Sequence, residues 1–379
     1  MGKRLKLTLC GAAIAASLLG VIGTVQFKRT SWKTQLKLKA QFFPSPRWML
    51  DQIHEDLALV DASQLTPAQI ASTMCEIEAL NPSYMLVHYH IRNNVLSANY
   101  FSGLENHSRA KVLMNELNDL LSVLHVPDVD FIVSLADGAI GCHFKSPVFS
   151  FAKDRAERNE VILIPDFEAL SGNEKLLRRI REGLANNSWN ERLPKAIWRG
   201  AMTGAADITD ESFLQFPRAR LVSSSIAHPE LLDAKFNTVT QCSTPEKVKE
   251  VYGHYFADTL KVIDHIPYKY QILLDGNTCA YSRAFWQLFS QSVIFKQDSS
   301  HIQWYYRALT PFVHYIPIRA DLSDLSKKIE WAQTHDTECQ KISRNAQRFA
   351  ESHLRKPDVY LYFYLLLSEY AKIQGNPNG

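Results

Sequence analysis

The chain has 379 residues, 46% of them apolar, with a formal net charge of +3. That is more core than one compact domain usually holds, so two domains are expected. With sixteen prolines, fifteen glycines and no fixed-period repeat, collagenous, disordered and solenoid classes are excluded. Nine of the 42 Lys/Arg and none of the 39 Asp/Glu fall in the first fifty residues, so the body that follows is mildly acidic. Such a body argues against a nucleic-acid partner.

Leu7–Phe27 is an uncharged, largely apolar stretch of 21 residues. A helix of that length crosses about 30 Å of hydrocarbon. It is flanked by Lys3, Arg4 and Lys6 on one side and by Lys28, Arg29, Lys33, Lys37 and Lys39 on the other. The expected segment is therefore residues 1–41, a single-pass membrane anchor and basic arm. The heavier positive flank after the span leans towards a cytoplasmic body. A cleaved signal peptide is the competing reading, and it would place the body in a secretory lumen or periplasm. Six scattered cysteines without a C-x-x-C spacing point to neither a disulfide framework nor a zinc site.

Residues 42–190 read as a first α/β unit. The spacing predicts a helix over Thr66–Leu80, a strand over Tyr84–Arg92 and a helix over Arg109–Leu124. Val129–Leu135 and Val161–Ile164 read as buried strands. Residues 191–345 read as a second unit, in which Gln271–Leu274, Val293–Phe295 and Val313–Ile318 alternate with helical stretches. Strands that end in polar or glycine-bearing loops are the pattern of an α/β sheet with a ligand crevice at its strand ends. Asp321 or Ser323 would cap a helix running to Ala332, and residues 346–379 are C-terminal helices and a tail.

Few motifs carry chemistry. Arg199-Gly200 with Thr203-Gly204 follows a short apolar strand, where a glycine lets backbone approach a phosphate and a guanidinium offers a fork of donors. A tight turn with a surface arginine is the plainer reading. Arg283 follows the Asp275-Gly-Asn-Thr turn and opens a helix; it suits either a diphosphate or a surface ion pair. Asp137, before Gly138, closes a strand, where a general base would sit, although Asp-Gly is also a common turn. His88 and His90 share one strand face at a spacing compatible with a metal, but with no third ligand evident they read as ordinary strand histidines. Cys142-His143 are adjacent and would point apart, and Trp304-Tyr-Tyr306 reads as packing.

Several motifs in one order resemble a known family. They are Pro147-Val-Phe-Ser-Phe151, Ile162-Leu-Ile-Pro-Asp166, Tyr268-Lys-Tyr270 with Asp275-Gly-Asn277, and Lys296-Gln-Asp298. Tyr306-Arg-Ala-Leu309, His314-Tyr-Ile-Pro317 and Asp321-Leu-Ser-Asp-Leu325 complete the set. The stretch from about Val126 to Tyr370 resembles glycosyltransferase family 90, which includes lipopolysaccharide-modifying enzymes and Rumi-like protein O-glucosyltransferases. The resemblance implies a GT-B-type fold, two Rossmann-like domains facing a cleft. It also implies an inverting reaction on a UDP-sugar co-substrate, without a metal or other cofactor. Asp137 matches the family's catalytic aspartate. The nucleotide sugar would fall to Arg199, Gly200 and Thr203, and to Asn277, Thr278, Ala280, Tyr281, Ser282 and Arg283. Ala136 and Gly138 around the aspartate, and Gln303 before the aromatic pair, depart from the usual pattern.

The resulting expectation is a membrane-anchored glycosyltransferase acting on a cell-surface glycan such as lipopolysaccharide. The alternatives are a protein O-glucosyl- or O-xylosyltransferase in a secretory lumen, and an inactive glycan- or nucleotide-binding relative. Its partners would be the UDP-sugar, a glycan, lipid-linked or protein acceptor, and the membrane.

Overall fold

The computed structural model describes residues 31–58, 60–80, 85–100, 103–138, 144–156, 161–205 and 207–375. The expected span Leu7–Phe27 and the Cys142-His143 pair lie outside the described residues. Among the described residues no helix is long and apolar enough to cross a membrane. The chain forms two compact units, Met1–Ser45 and Pro46–Gly379. The first carries α1 (Trp32–Phe42), started by Ser31, whose hydroxyl accepts from the Thr34 amide at 3.2 Å.

The second unit opens with α2 (Arg47–Leu57) and α3 (Pro67–Leu80). Pro67 takes the first helical position, where a missing N–H costs little, and the Thr66 hydroxyl accepts from the Gln69 amide. Next come β1 (Leu86–Arg92), β2 (Val95–Tyr100), α4 (Ser108–Leu121), β3 (Val129–Ser134), β4 (Val148–Ser150), β5 (Lys153–Asp154) and β6 (Val161–Leu163). The first sheet runs β2-β1-β3-β4-β6. Its β3, β4 and β6 are parallel, but β1 is antiparallel to both neighbours. The sheet is thus mixed, which corrects the expected Rossmann-like pattern for this half. The cause is local: Asn93 and Asn94 both adopt positive φ, 49° and 61°, and fold β1 back on β2 as a two-residue hairpin.

There follow α5 (Phe167–Ser171), α6 (Glu174–Ala185), β7 (Leu193–Met202), α7 (Pro217–Ala227), β8 (Leu232–Val239) and α8 (Pro245–Tyr252). Then come β9 (Tyr268–Leu273), α9 (Tyr281–Phe289), β10 (Val293–Gln297), β11 (His301–Ile302) and β12 (Ile316–Ile318). The second sheet, ordered β12-β10-β9-β7-β8, is parallel throughout. Its central strands β9 and β10 are nearly continuously buried, the edge strand β8 only at alternate residues, and the core gathers around Trp198, Phe236, Tyr270 and Phe295.

The chain ends with α10 (Leu325–Thr334), α11 (Asp336–His353) and α12 (Lys356–Ile373). The residue before α10 is Asp324, not the expected Asp321 or Ser323; Asp321 instead accepts from the Ser323 amide in the preceding turn. The final helix turns back onto the first sheet. Tyr370 packs edge-on against Phe149 at 5.0 Å, and the Tyr362 hydroxyl donates to the Leu163 carbonyl at 3.2 Å. The Gln374 amide brackets Asp130, accepting from its N–H and donating to its C=O.

Candidate active site

Three strand ends converge here. Past β3 the chain reaches Asp137, past β7 Thr203, and past β9 the Asp275-Gly276 turn that leads into α9. They enclose a cleft of about 380 Å³. Of the residues singled out from sequence, Asp137, Thr203, Asn277, Thr278, Ala280, Tyr281, Ser282 and Arg283 line it. Arg199 and Gly200 are not among the lining residues.

Asp137 is gripped from both sides. Arg109 donates to its Oδ1 at 2.7 Å, and Asn277 donates to its Oδ2 at 3.1 Å. The Thr278 and Tyr281 hydroxyls both donate to its backbone carbonyl. Arg109 is itself fixed, donating to the Leu135 carbonyl at 2.7 Å with its guanidinium 4.7 Å above the Phe167 ring. Burial would raise the Asp137 pKa, but the hydrogen bonds from Arg109 and Asn277, with the Arg109 charge, outweigh it and hold the carboxyl below its ordinary value. The group is therefore an oriented, ionised acceptor, with 43% of its side chain still open to solvent.

Across the cleft the charge is positive. No side chain caps the N-terminus of α9, so its first amides face the cleft with the positive end of the helix dipole. Arg283 donates to the Arg199 carbonyl and lies 5.5 Å from the Trp198 ring, and its Nη1 is buried without a partner. Burial, and then the neighbouring Arg218 charge, push its pKa down to about 9. Arg218 donates to the Asp275 and Ala201 carbonyls, both at 2.8 Å, and to the Thr203 hydroxyl at 2.6 Å. Burial lowers its pKa to about 10. A Cβ on Gly276 would stand 2.8 Å from the Arg218 Nη2 and the Thr203 hydroxyl, so only glycine admits that guanidinium.

The Arg199-Gly200 pair does something else. The Arg199 Nη2 meets the Asp233 carboxylate at 2.8 Å, and its Nη1 donates to the Trp198 and Asp233 carbonyls. Its side chain is 10% exposed, and the Asp233 carboxylate also accepts from Tyr268. A Cβ on Gly200 would meet the Trp198 indole at 2.5 Å, so this glycine makes room for the ring on which Arg218 and Arg283 lie. Trp304 and Tyr305 are fully buried, as packing requires.

Sequence reasoning missed Arg109, Arg218, Phe167, Glu168 and Trp286, all in or against the cleft. A signal for the arginines existed. Arg109 and Arg218 are the second residues of their helices and Arg283 the third, and none of these first turns holds an acid. Cations are favoured at the other end of a helix, and these three N-terminal arginines gather in or against one cleft.

A model of glycosyl transferase family 90 matches residues 47–377. The protein O-glucosyltransferase 2 of Danio rerio is 30% identical over 90% of this chain and 64% of its own length. The human protein O-glucosyltransferase 3 is 32% identical over 77% of this chain and 56% of its own. Among solved structures, that of Anabaena Alr3699/HepE in complex with UDP is similar at a TM-score of 0.36, with 10% identity, over 60% of this chain and 64% of that one. The chain belongs to glycosyl transferase family 90. It spans less than two thirds of the length of the two relatives described.

Proposed function

We propose that the chain is an inverting glycosyltransferase that moves a sugar from a UDP-sugar to an acceptor hydroxyl, its two sheets facing the cleft in the GT-B manner. The observation that carries the reading is the opposition, in one cleft, of the oriented Asp137 carboxylate and the Arg218–Arg283–α9 cluster. In the reaction the acceptor oxygen attacks the anomeric carbon and loses its proton to Asp137. The bond from that carbon to the diphosphate breaks on the opposite side, and UDP leaves with the electron pair. The two guanidiniums and the α9 amides answer the added charge, and the reading requires no metal. Asn277, Thr278, Tyr281 and Arg109 hold the base in place.

The acceptor is a protein hydroxyl and the sugar glucose. This reading follows the printed names of the relatives and replaces the lipopolysaccharide acceptor favoured from sequence. Membrane attachment through Leu7–Phe27 belongs to the same proposal, with either a cytoplasmic or a lumenal body. The test is a transfer assay pairing a panel of UDP-sugars with serine-bearing protein domains and with lipopolysaccharide core glycans. Glucosylated protein, absent with Asp137→Asn, is expected. Transfer to the glycan alone overturns the acceptor, and UDP binding without transfer to any acceptor overturns the activity.

A further inference from the structure

The pair His88 and His90 gains in three dimensions the third ligand that its sequence lacks. Both project from β1, and the register places His90 directly opposite Asp130 on β3. Among the described residues these three form a group whose ligand atoms all lie within 4.8 Å of one another. They are not among the residues lining the catalytic cleft. They sit near the opposite end of β3 from Asp137, on the side where β2 forms the sheet edge.

The hydrogen bonds leave one atom unanswered. The His90 Nδ1 lies 2.6 Å from the Asp130 Oδ1, and the other Asp130 oxygen accepts from Arg92. The His88 Nε2 is buried, has no hydrogen-bond partner, and stands 3.8 Å from the same Oδ1. If that nitrogen carries a proton, the proton is desolvated and unpaired; if it carries a lone pair, the lone pair faces a carboxylate. Either arrangement costs free energy in a protein alone.

We propose that His88, His90 and Asp130 form a binding site for a divalent transition metal of the zinc class. A tetrahedral ion with bonds of about 2.0–2.1 Å needs ligand atoms roughly 3.3 Å apart. The observed separations of 2.6 and 3.8 Å fall on either side of that value, so small side-chain rotations suffice. Arg92 occupies the second Asp130 oxygen and leaves the carboxylate one oxygen for the ion. Asn99 lies 3.0 Å from the His90 Nε2. With its amide turned to accept, it fixes the tautomer that frees Nδ1, the usual duty of a metal site's outer partners. The fourth position is open to water. The site ties the β1–β2 hairpin to β3 and is separate from the transfer chemistry.

Cobalt(II) titration of the purified, chelator-treated full-length chain tests this, because tetrahedral Co²⁺ has an intense visible spectrum that six-coordinate surface sites lack. One equivalent with that spectrum is expected, displaced by Zn²⁺. His88→Gln and His90→Gln should each abolish it, and Asn99→Ala should weaken binding by about 10–100-fold. Should a histidine variant fail to fold, Asp130→Asn and the Asn99 variant still decide the point. No tetrahedral spectrum in the wild type, or one unchanged in the variants, overturns the proposal. The wild-type titration reads independently of UDP binding, so its outcome stays separable from that of the transferase assay.

Discussion

Around Trp198 of the second sheet lie two kinds of arginine, one on a strand and two on helices, and they teach opposite lessons. Arg199, on β7, has its charge answered by Asp233 and its Nη1 by two carbonyls, while its buried Nε has no partner. Arg218 and Arg283 share the Trp198 ring, and among the described residues neither has a carboxylate in hydrogen-bond contact. A buried cation with no carboxylate in contact suits an anionic ligand; one already paired with a carboxylate needs no ligand to answer its charge. Position beside a glycine at a strand end does not separate the two cases. The electrostatic account of each group does.

That contrast can be broken by substitution, starting with the Asp137 side of the cleft. Asp137→Asn should lower transfer by about 10²–10⁴-fold while UDP affinity, read by calorimetry, stays near wild type. Comparable turnover in the mutant removes Asp137 from the reaction. Next, Arg283→Ala and Arg218→Ala should each weaken UDP binding by about 1.5–3 kcal/mol, the range of a charge-assisted hydrogen bond. Arg283→Lys should also be impaired, since an ammonium presents no fork.

Arg199→Ala sharpens the comparison from the other region. Its folded fraction should bind UDP as tightly as wild type, while denaturant midpoints fall by the equivalent of about 1–3 kcal/mol because Asp233 loses its partner. A weakened UDP affinity with unchanged stability would reverse the assignment of the two regions.

The subtlest test is of pH dependence. Arg109 and Asn277 hold the Asp137 carboxyl below its ordinary pKa, against the upward push of burial. The carboxylate therefore stays ionised well into acid, and the stability that its ion pair adds is lost only as pH falls through that lowered value. Arg109→Ala removes the opposing charge and leaves burial countered only by the Asn277 hydrogen bond, so the acidic limb of the kcat/KM profile should move to higher pH. Arg109→Lys should restore part of the shift. An unmoved limb would mean that Arg109 serves packing on Phe167 alone.

Much of the parallel sheet was legible because its strands are short apolar runs ending in polar turns, as at Gln271–Leu274 and Val293–Phe295. The cleft residues from Asn277 to Arg283 were legible because they form one continuous turn and helix start. The β1–β2 hairpin was missed since Asn93-Asn94 is a weaker signal than Asn-Gly and the outer strand β2 alternates without a buried face. Arg109 and Arg218 escaped because each reaches the cleft from a helix distant in sequence from the residues it meets. The pairing of Arg199 was hidden for a related reason: its partner Asp233 lies on the neighbouring strand.

The last helix closes over the first sheet, and this has a consequence for the order of folding. The Asp130 backbone and the Gln374 side chain that brackets it are 244 residues apart, as are Glu116 and Tyr360, which also bond. The early-synthesised half thus emerges with Phe131, Phe149 and the β3–β4–β6 face uncovered. Its lid is translated only after the parallel sheet. The packing of Tyr370 on Phe149 and of Tyr362 on Leu163 can form only once the chain has passed through the whole parallel sheet. Loss of only α12 would leave the later sheet's own core in place and unroof the earlier one. A premature stop near residue 355 should therefore yield a chain that aggregates through its first half.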